Sequence, residues 1–153
     1  MKKLNGKIIL VDNDKYEKDV LKAALKNKNW EVNIEYFMNP RLALEYFKTT
    51  KDEIFLIISE MNMTEMTGMQ LKQALDNDVL LRYNTIPFIF ASMSSSKVDI
   101  LTAYVYRVQG YFEKPVTTEE QANMIDIIIK YWIVCKHPIE SETKETSDNV
   151  LNP

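Results

Sequence analysis

Lys7-Ile8-Ile9-Leu10-Val11-Asp12-Asn13-Asp14 is the stretch that decides how this chain folds. An uninterrupted, β-branched apolar run of this length reads as a buried strand. It empties directly into carboxylates, which puts negative charge at one edge of a sheet, where it must be solvated, paired or metal-bound. A second run, Ile54-Phe55-Leu56-Ile57-Ile58, also ends in an acid, Glu60. A third, Ile86 to Ala91, ends in the hydroxyl of Ser92, and a short fourth ends at Lys114-Pro115. Ligands of open α/β sheets sit just beyond the carboxyl ends of the strands. Strand ends carrying carboxylate, carboxylate, hydroxyl and ammonium therefore describe a site.

Between these runs the periodicity changes to helical. Lys15 to about Lys28 carries Val20, Leu21, Ala24 and Leu25 at helix spacing, with Asp14 or Asn13 as the expected cap. Trp30–Phe37 alternates as a second strand. Asn39-Pro40 opens a helix packed through Leu42, Ala43, Tyr46 and Phe47. Strand three, Ile54–Ser59, leads through Thr67-Gly68 to a helix with Met69, Leu71, Leu75 and Val79. Ser94-Ser95-Ser96 supplies a cap for a helix whose expected packed positions are Leu101, Tyr104, Val105 and Val108. Gly110–Glu113 is a short fifth strand, and Thr117-Thr118-Glu119-Glu120 begins a last helix running to about Cys135. Five strands alternating with five helices predict a single α/β domain, a parallel sheet covered on both faces. From Pro138 to residue 153 the chain is polar and without period, read as a mobile tail.

A length of 153 residues is that of one domain, and 46% hydrophobic residues can fill one core. A net charge of −3 with intermingled signs argues against nucleic-acid binding. The lone Cys135 fits a reducing compartment, and no stretch approaches the roughly 20 apolar residues of a membrane span. The expected location is the cytoplasm, with no membrane partner.

Asp12, Asn13, Glu60, Asn62, Gly68, Ser92, Tyr111, Lys114 and Pro115, in that order, resemble the receiver domain of two-component response regulators. The resemblance spans roughly residues 5–135 and implies a flavodoxin-like, doubly wound sheet of order 2-1-3-4-5. The receiver would occupy residues 1–137. In that family an acyl phosphate forms on an Asp ending strand three, acids after strand one help hold Mg²⁺, and a hydroxyl and a Lys contact the phosphoryl group. Mg²⁺ needs hard oxygen ligands, and a phosphoryl group in transfer is stabilised by metal, ammonium and hydroxyl donors. By resemblance, Asp12, Asn13, Glu60 and the backbone carbonyl of Asn62 stand at the metal. Ser92 and Lys114 face the phosphoryl group at the phosphoacceptor position, Glu60, and Tyr111 is the aromatic switch residue. The implied partners are a sensor histidine kinase or phosphotransfer protein and a downstream effector.

Two departures change the expectation. The phosphoacceptor position holds Glu60, whose extra methylene moves the reacting atom by roughly 1.5 Å, and a misplacement near 1 Å can cost about a hundredfold. Asn13 removes a formal charge from the metal site while keeping a carbonyl oxygen, so weak Mg²⁺ binding is expected. Glu60 is long enough to pair with Lys114 and to accept a hydrogen bond from Ser92, imitating part of a phosphorylated Asp. The expected function is thus a stand-alone, degenerate receiver that acts by partner binding and is not an enzyme. Met93 is expected to lid the pocket partly. Asp14 reads as a helix cap, His137 as a surface residue and Cys135 as a packed or half-exposed thiol.

The last helix carries Ile125, Ile128, Ile129 and Trp132 as one stripe, enough to dock on a sheet. Met124, Ile127, Tyr131 and Val134 form a second, which points to a homodimer through helix four, strand five and helix five, or to a tail folded back over it. The runner-up function is an ordinary Mg²⁺-dependent phosphoaccepting receiver. A phosphatase of the haloacid dehalogenase type would use Asp12 as nucleophile and Asp14 as acid. Tyr16 stands where that family has Thr, however, and no acidic pair follows Lys114. A flavin-binding flavodoxin is disfavoured because the acidic first loop would repel phosphate. The short stretch after residue 135 cannot form a DNA-binding or catalytic output domain, so output by binding is expected.

Overall fold

The computed structural model describes residues 1–78, 80 and 82–139. Its elements are β1 (Lys2–Val11), α1 (Tyr16–Asn27), β2 (Trp30–Phe37), α2 (Pro40–Thr49), β3 (Ile54–Ser59), α3 (Gly68–Asn77), a 3₁₀ turn (Arg82–Thr85), β4 (Phe88–Ser92), α4 (Lys97–Val105), β5 (Gly110–Glu113) and α5 (Thr118–Val134). The strands pair in parallel in the order β2-β1-β3-β4-β5, the flavodoxin-like arrangement expected.

Alternation along each strand divides the core. Ile8, Leu10, Leu56 and Ile58 face α1 and α5, meeting Leu21, Leu25, Ile125 and Ile129. Ile9, Val11, Ile57 and Phe90 face the other way, onto Phe47 of α2 and Leu71 of α3. A strand buried on both sides needs apolar residues at every position, which is why Ile54–Ser59 is buried throughout. Helix starts follow their caps: Asn39, Thr67, Ser96 and Thr117 each accept a backbone N–H through the side chain. At α1 the boundary residue is Lys15, which caps nothing; Asp14 Oδ1 accepts the Tyr16 N–H at 2.9 Å from one residue outside.

Several expectations are corrected. β1 starts at Lys2 rather than Lys7, because Lys2 donates to the Asn29 carbonyl and Gly6, at φ +85°, absorbs a register shift that keeps the pairing with β2. In α4, Leu101, Tyr104 and Val105 are 55%, 52% and 75% exposed, and Ala103 alone is buried. Ala103 lies roughly 200° round the helix from Leu101 and Val105, so seating that small residue on the sheet turns the apolar stripe to solvent. On α5 the first stripe docks as read, and Ile127, Tyr131 and Val134 are exposed, but Met124 packs into the core. His137 is buried, not on the surface: its ring stacks on Phe55 with centroids 5.0 Å apart. Nε2 donates to the Phe55 carbonyl at 2.7 Å, and Nδ1 accepts the Ile139 N–H at 3.2 Å. Cys135 is half-exposed. Val79 and the tail from residue 140 onward lie outside the described residues. Among the described residues, no helix is long and apolar enough to cross a membrane.

Candidate functional site

Parallel pairing brings the carboxyl ends of β1, β3, β4 and β5 to one rim. Backbone bonds tie them: the Glu60 N–H donates to the Val11 carbonyl at 2.9 Å and the Lys114 N–H to the Ser92 carbonyl at 2.8 Å. Tyr36 on β2 donates its hydroxyl to the Asp12 carbonyl at 2.7 Å. Gly68 controls the descent of the β3–α3 loop. A Cβ there would fall 2.2 Å from the Glu60 carbonyl oxygen and 2.8 Å from the Phe90 ring, so only glycine permits this approach.

At this rim Lys114 Nζ lies 2.7 Å from Asp12 Oδ2, 3.0 Å from Glu60 Oε2 and 3.7 Å from Glu17 Oε1. The second oxygen of each strand-end acid is also engaged. Asp12 Oδ1 accepts the Asp14 N–H at 2.8 Å. Glu60 Oε1 accepts the N–H groups of Met61 and Asn62 at 2.9 and 3.2 Å. Asp12, Glu60 and Ser92 are buried, whereas Asn13 and Asn62 are exposed. Burial pushes the carboxyls of Asp12 and Glu17 above their usual range, with Lys114 pulling both the other way. Burial opposes the charge on Lys114, but the hydrogen bonds and charges of Asp12 and then Glu60 outweigh it and raise its pKa.

The expected pairing of Glu60 with Lys114 is thus present in the geometry. The expected hydrogen bond from Ser92 to Glu60 is not made among the described residues. Glu60 turns one oxygen to backbone N–H groups and the other to Lys114, while Ser92 Oγ accepts the Ser94 N–H at 3.2 Å. Met93 lines the cleft mouth but is largely exposed, so it does not lid the pocket. Tyr111 is half-buried, its ring near Phe90 and its hydroxyl donating to the Ser94 carbonyl at 2.8 Å. Ser94 Oγ in turn donates to Asp99 at 2.6 Å, and Asn62 Nδ2 reaches the same carboxylate at 3.4 Å.

Glu17 and Asp99 escaped the sequence reading. Helical phase was the available signal for the first, because Glu17 shares a face with Leu21, one turn later and buried. For Asp99 the signal was Ser96-x-x-Asp99, a helix-start pattern whose Ser96 hydroxyl takes the Asp99 N–H. Mg²⁺ would need Asp12, Asn13, Glu60 and the Asn62 carbonyl as hard oxygen donors. As folded the set fits it poorly, because the Lys114 ammonium already pairs with both carboxylates and Asn13 brings no charge. Among the described residues, no group of three His, Cys, Asp or Glu is arranged to hold a metal.

Comparison with known proteins gives the class. Residues 8–126 match the family model of the response regulator receiver domain, and the chain belongs to that family. It is 24% identical over 125 residues to the chemotaxis protein CheY1 of Helicobacter pylori, covering 80% of this chain and 96% of that protein. It is 21% identical over 130 residues to a probable methanogenesis regulatory protein, FilR2, of Methanothrix harundinacea, covering 82% and 83%. Among solved structures, the phosphorylated cyanobacterial phytochrome response regulator RcpA superposes with a TM-score of 0.78 at 20% identity, over 88% of this chain and 99% of that one. The Mn²⁺-bound form of response regulator Rcp1 gives 0.74 at 17% identity, over 87% and 99%. At such identity these structures establish the fold alone.

Proposed function

We propose that this receiver signals by binding partner proteins without a phosphate on residue 60. One observation carries the reading: Glu60 Oε2 stands 3.0 Å from the Lys114 ammonium, so an acid with longer reach already makes the contact that a phosphoryl oxygen would make. No catalytic turnover of its own is part of the proposal. The partners are a sensor histidine kinase or phosphotransfer protein on the input side and an effector on the output side, all in the cytoplasm. Mg²⁺, to enter among Asp12, Asn13, Glu60 and Asn62, must displace Lys114, and its binding is weak. Ser92 and Lys114 are the phosphoryl-facing residues and Tyr111 the switch residue. The receiver unit is residues 1–137, with the remainder a tail.

Output through α4, β5 and α5 is supported by the exposed apolar side chains Val98, Leu101, Tyr104 and Val105 on α4 and Ile127, Tyr131 and Val134 on α5. A homodimer would use this face, and light scattering across a concentration series reads it out. Tyr131→Glu should abolish a concentration-dependent mass increase.

The decisive experiment is incubation with a small-molecule phosphodonor and Mg²⁺, followed by intact-mass analysis. The protein should stay at its unmodified mass. A single phosphate adduct mapped to Glu60 overturns the proposal in favour of the phosphoaccepting receiver, which the retained Ser92 hydroxyl and Lys114 ammonium favour as second reading.

A further inference from the structure

Glu17 stands outside the residues that family resemblance assigns to the site, yet its carboxylate faces the same ammonium as Asp12 and Glu60. A lysine ammonium carries three N–H donors and no acceptor. Three carboxylates, from β1, α1 and the end of β3, converge on Lys114 Nζ at 2.7, 3.7 and 3.0 Å. The Lys114 side chain is only 11% exposed. The remaining oxygens of Asp12 and Glu60 are held by backbone N–H groups of Asp14, Met61 and Asn62. A divalent cation entering here would compete with the Lys114 ammonium for the same two carboxylates, beside a fixed positive charge.

We propose that Lys114 is the resident cation of this site, held in place of a divalent ion, and that Glu17 is the positioning residue that fixes it there. Glu17 returns from α1 the carboxylate that Asn13 does not supply after β1. The ion pair also joins α1 to the rim, so a partner that moves α1 moves Lys114. The inference rests on the receiver reading of this pocket and goes beyond it, to the cation the pocket uses.

The first test follows the Lys114 ammonium by ¹⁵N-detected NMR in the full chain, with and without millimolar Mg²⁺. The signal stays in place; a Mg²⁺-dependent shift overturns the proposal. In Glu17→Gln the ammonium protons exchange faster with water, and unchanged protection removes the role given to Glu17. The second test titrates Mn²⁺ calorimetrically into wild type, Lys114→Met and Lys114→Met/Glu17→Gln, each checked for folding by circular dichroism. Lys114→Met binds Mn²⁺ on the order of tenfold more tightly than wild type, and adding Glu17→Gln gives back a comparable factor. A folded Lys114→Met that binds no more tightly overturns the proposal, and should that variant not fold, the ammonium signal decides alone. A phosphate adduct on Glu60 would instead end the phosphate-free reading while leaving these cation measurements standing.

Discussion

Two lysines, at opposite rims of one sheet, each hold acids together, and they teach different things. Lys7, midway along β1 and level with the start of β3, lies 3.1 Å from Glu35 and 2.9 Å from Asp52, with its side chain 27% exposed. Lys114 has partners at similar distances, but its side chain is 11% exposed and that of Asp12 only 2%. The geometry is alike and the surroundings are not. At the Lys7 rim, water solvates the carboxylates and weakens the attraction. At the Lys114 rim the acids depend on one ammonium, and removing it leaves them buried and unpaired. Burial, more than distance, separates a fastening from a site.

The largest expected effect breaks that contrast directly. Lys114→Met should lower stability by about 3 kcal/mol in urea unfolding at neutral pH, whereas Lys7→Met should cost severalfold less. Equal losses would mean that the two clusters do not differ in kind. Next comes Gly68→Ala, whose Cβ must push back the Glu60 carbonyl. A loss of about 1–3 kcal/mol is expected by overpacking, together with a displaced Lys114 ammonium signal, because Glu60 moves with its loop. A normal melting curve would show that the loop has room to give.

The smallest effect is one of sign. Hydrogen bonds from Lys7, then Tyr46 and Thr50, hold the Asp52 carboxyl below its usual range. Its stabilising contribution is therefore present above its unfolded pKa, about 3.9, and lost as pH falls through the lower folded value. Asp52→Asn should be less stable than wild type at neutral pH and converge with it in acid. Glu17 behaves oppositely, because burial raises its folded pKa. The stability it contributes is complete in acid and lost as pH rises through the folded value. Glu17→Gln should be slightly more stable than wild type at neutral pH, with the gap closing as pH falls below the unfolded Glu value. Chemical denaturation across a pH series compares the two.

The readable parts of this protein share a cause. β2, β3 and β5 fall where runs of alternating or continuous apolar residues stop, and the caps at Asn39, Thr67, Ser96 and Thr117 mark helix starts because a side-chain oxygen must meet free N–H groups there. Asp12, Glu60, Ser92 and Lys114 were legible as one site since parallel strands carry their carboxyl ends to a common rim. Glu17 was not, because a first-turn acid on a helix is also the ordinary choice for a solvated face. Leu101, Tyr104 and Val105 looked like a docking stripe by period alone, yet period does not say which way a stripe points. His137 looked peripheral because the Phe55 carbonyl that it satisfies is 82 residues away in sequence.

By itself, the order of residues determined the alternation of strands and helices, the family and the chemical types that meet at the rim, since these depend on local pattern and on the direction of parallel strands. Tertiary structure alone decided that Lys114 answers to three acids, that α4 turns its apolar side outward and that His137 is buried against Phe55. Each of those outcomes depends on which groups lose their water when distant segments pack, and desolvation is a property of the assembled fold.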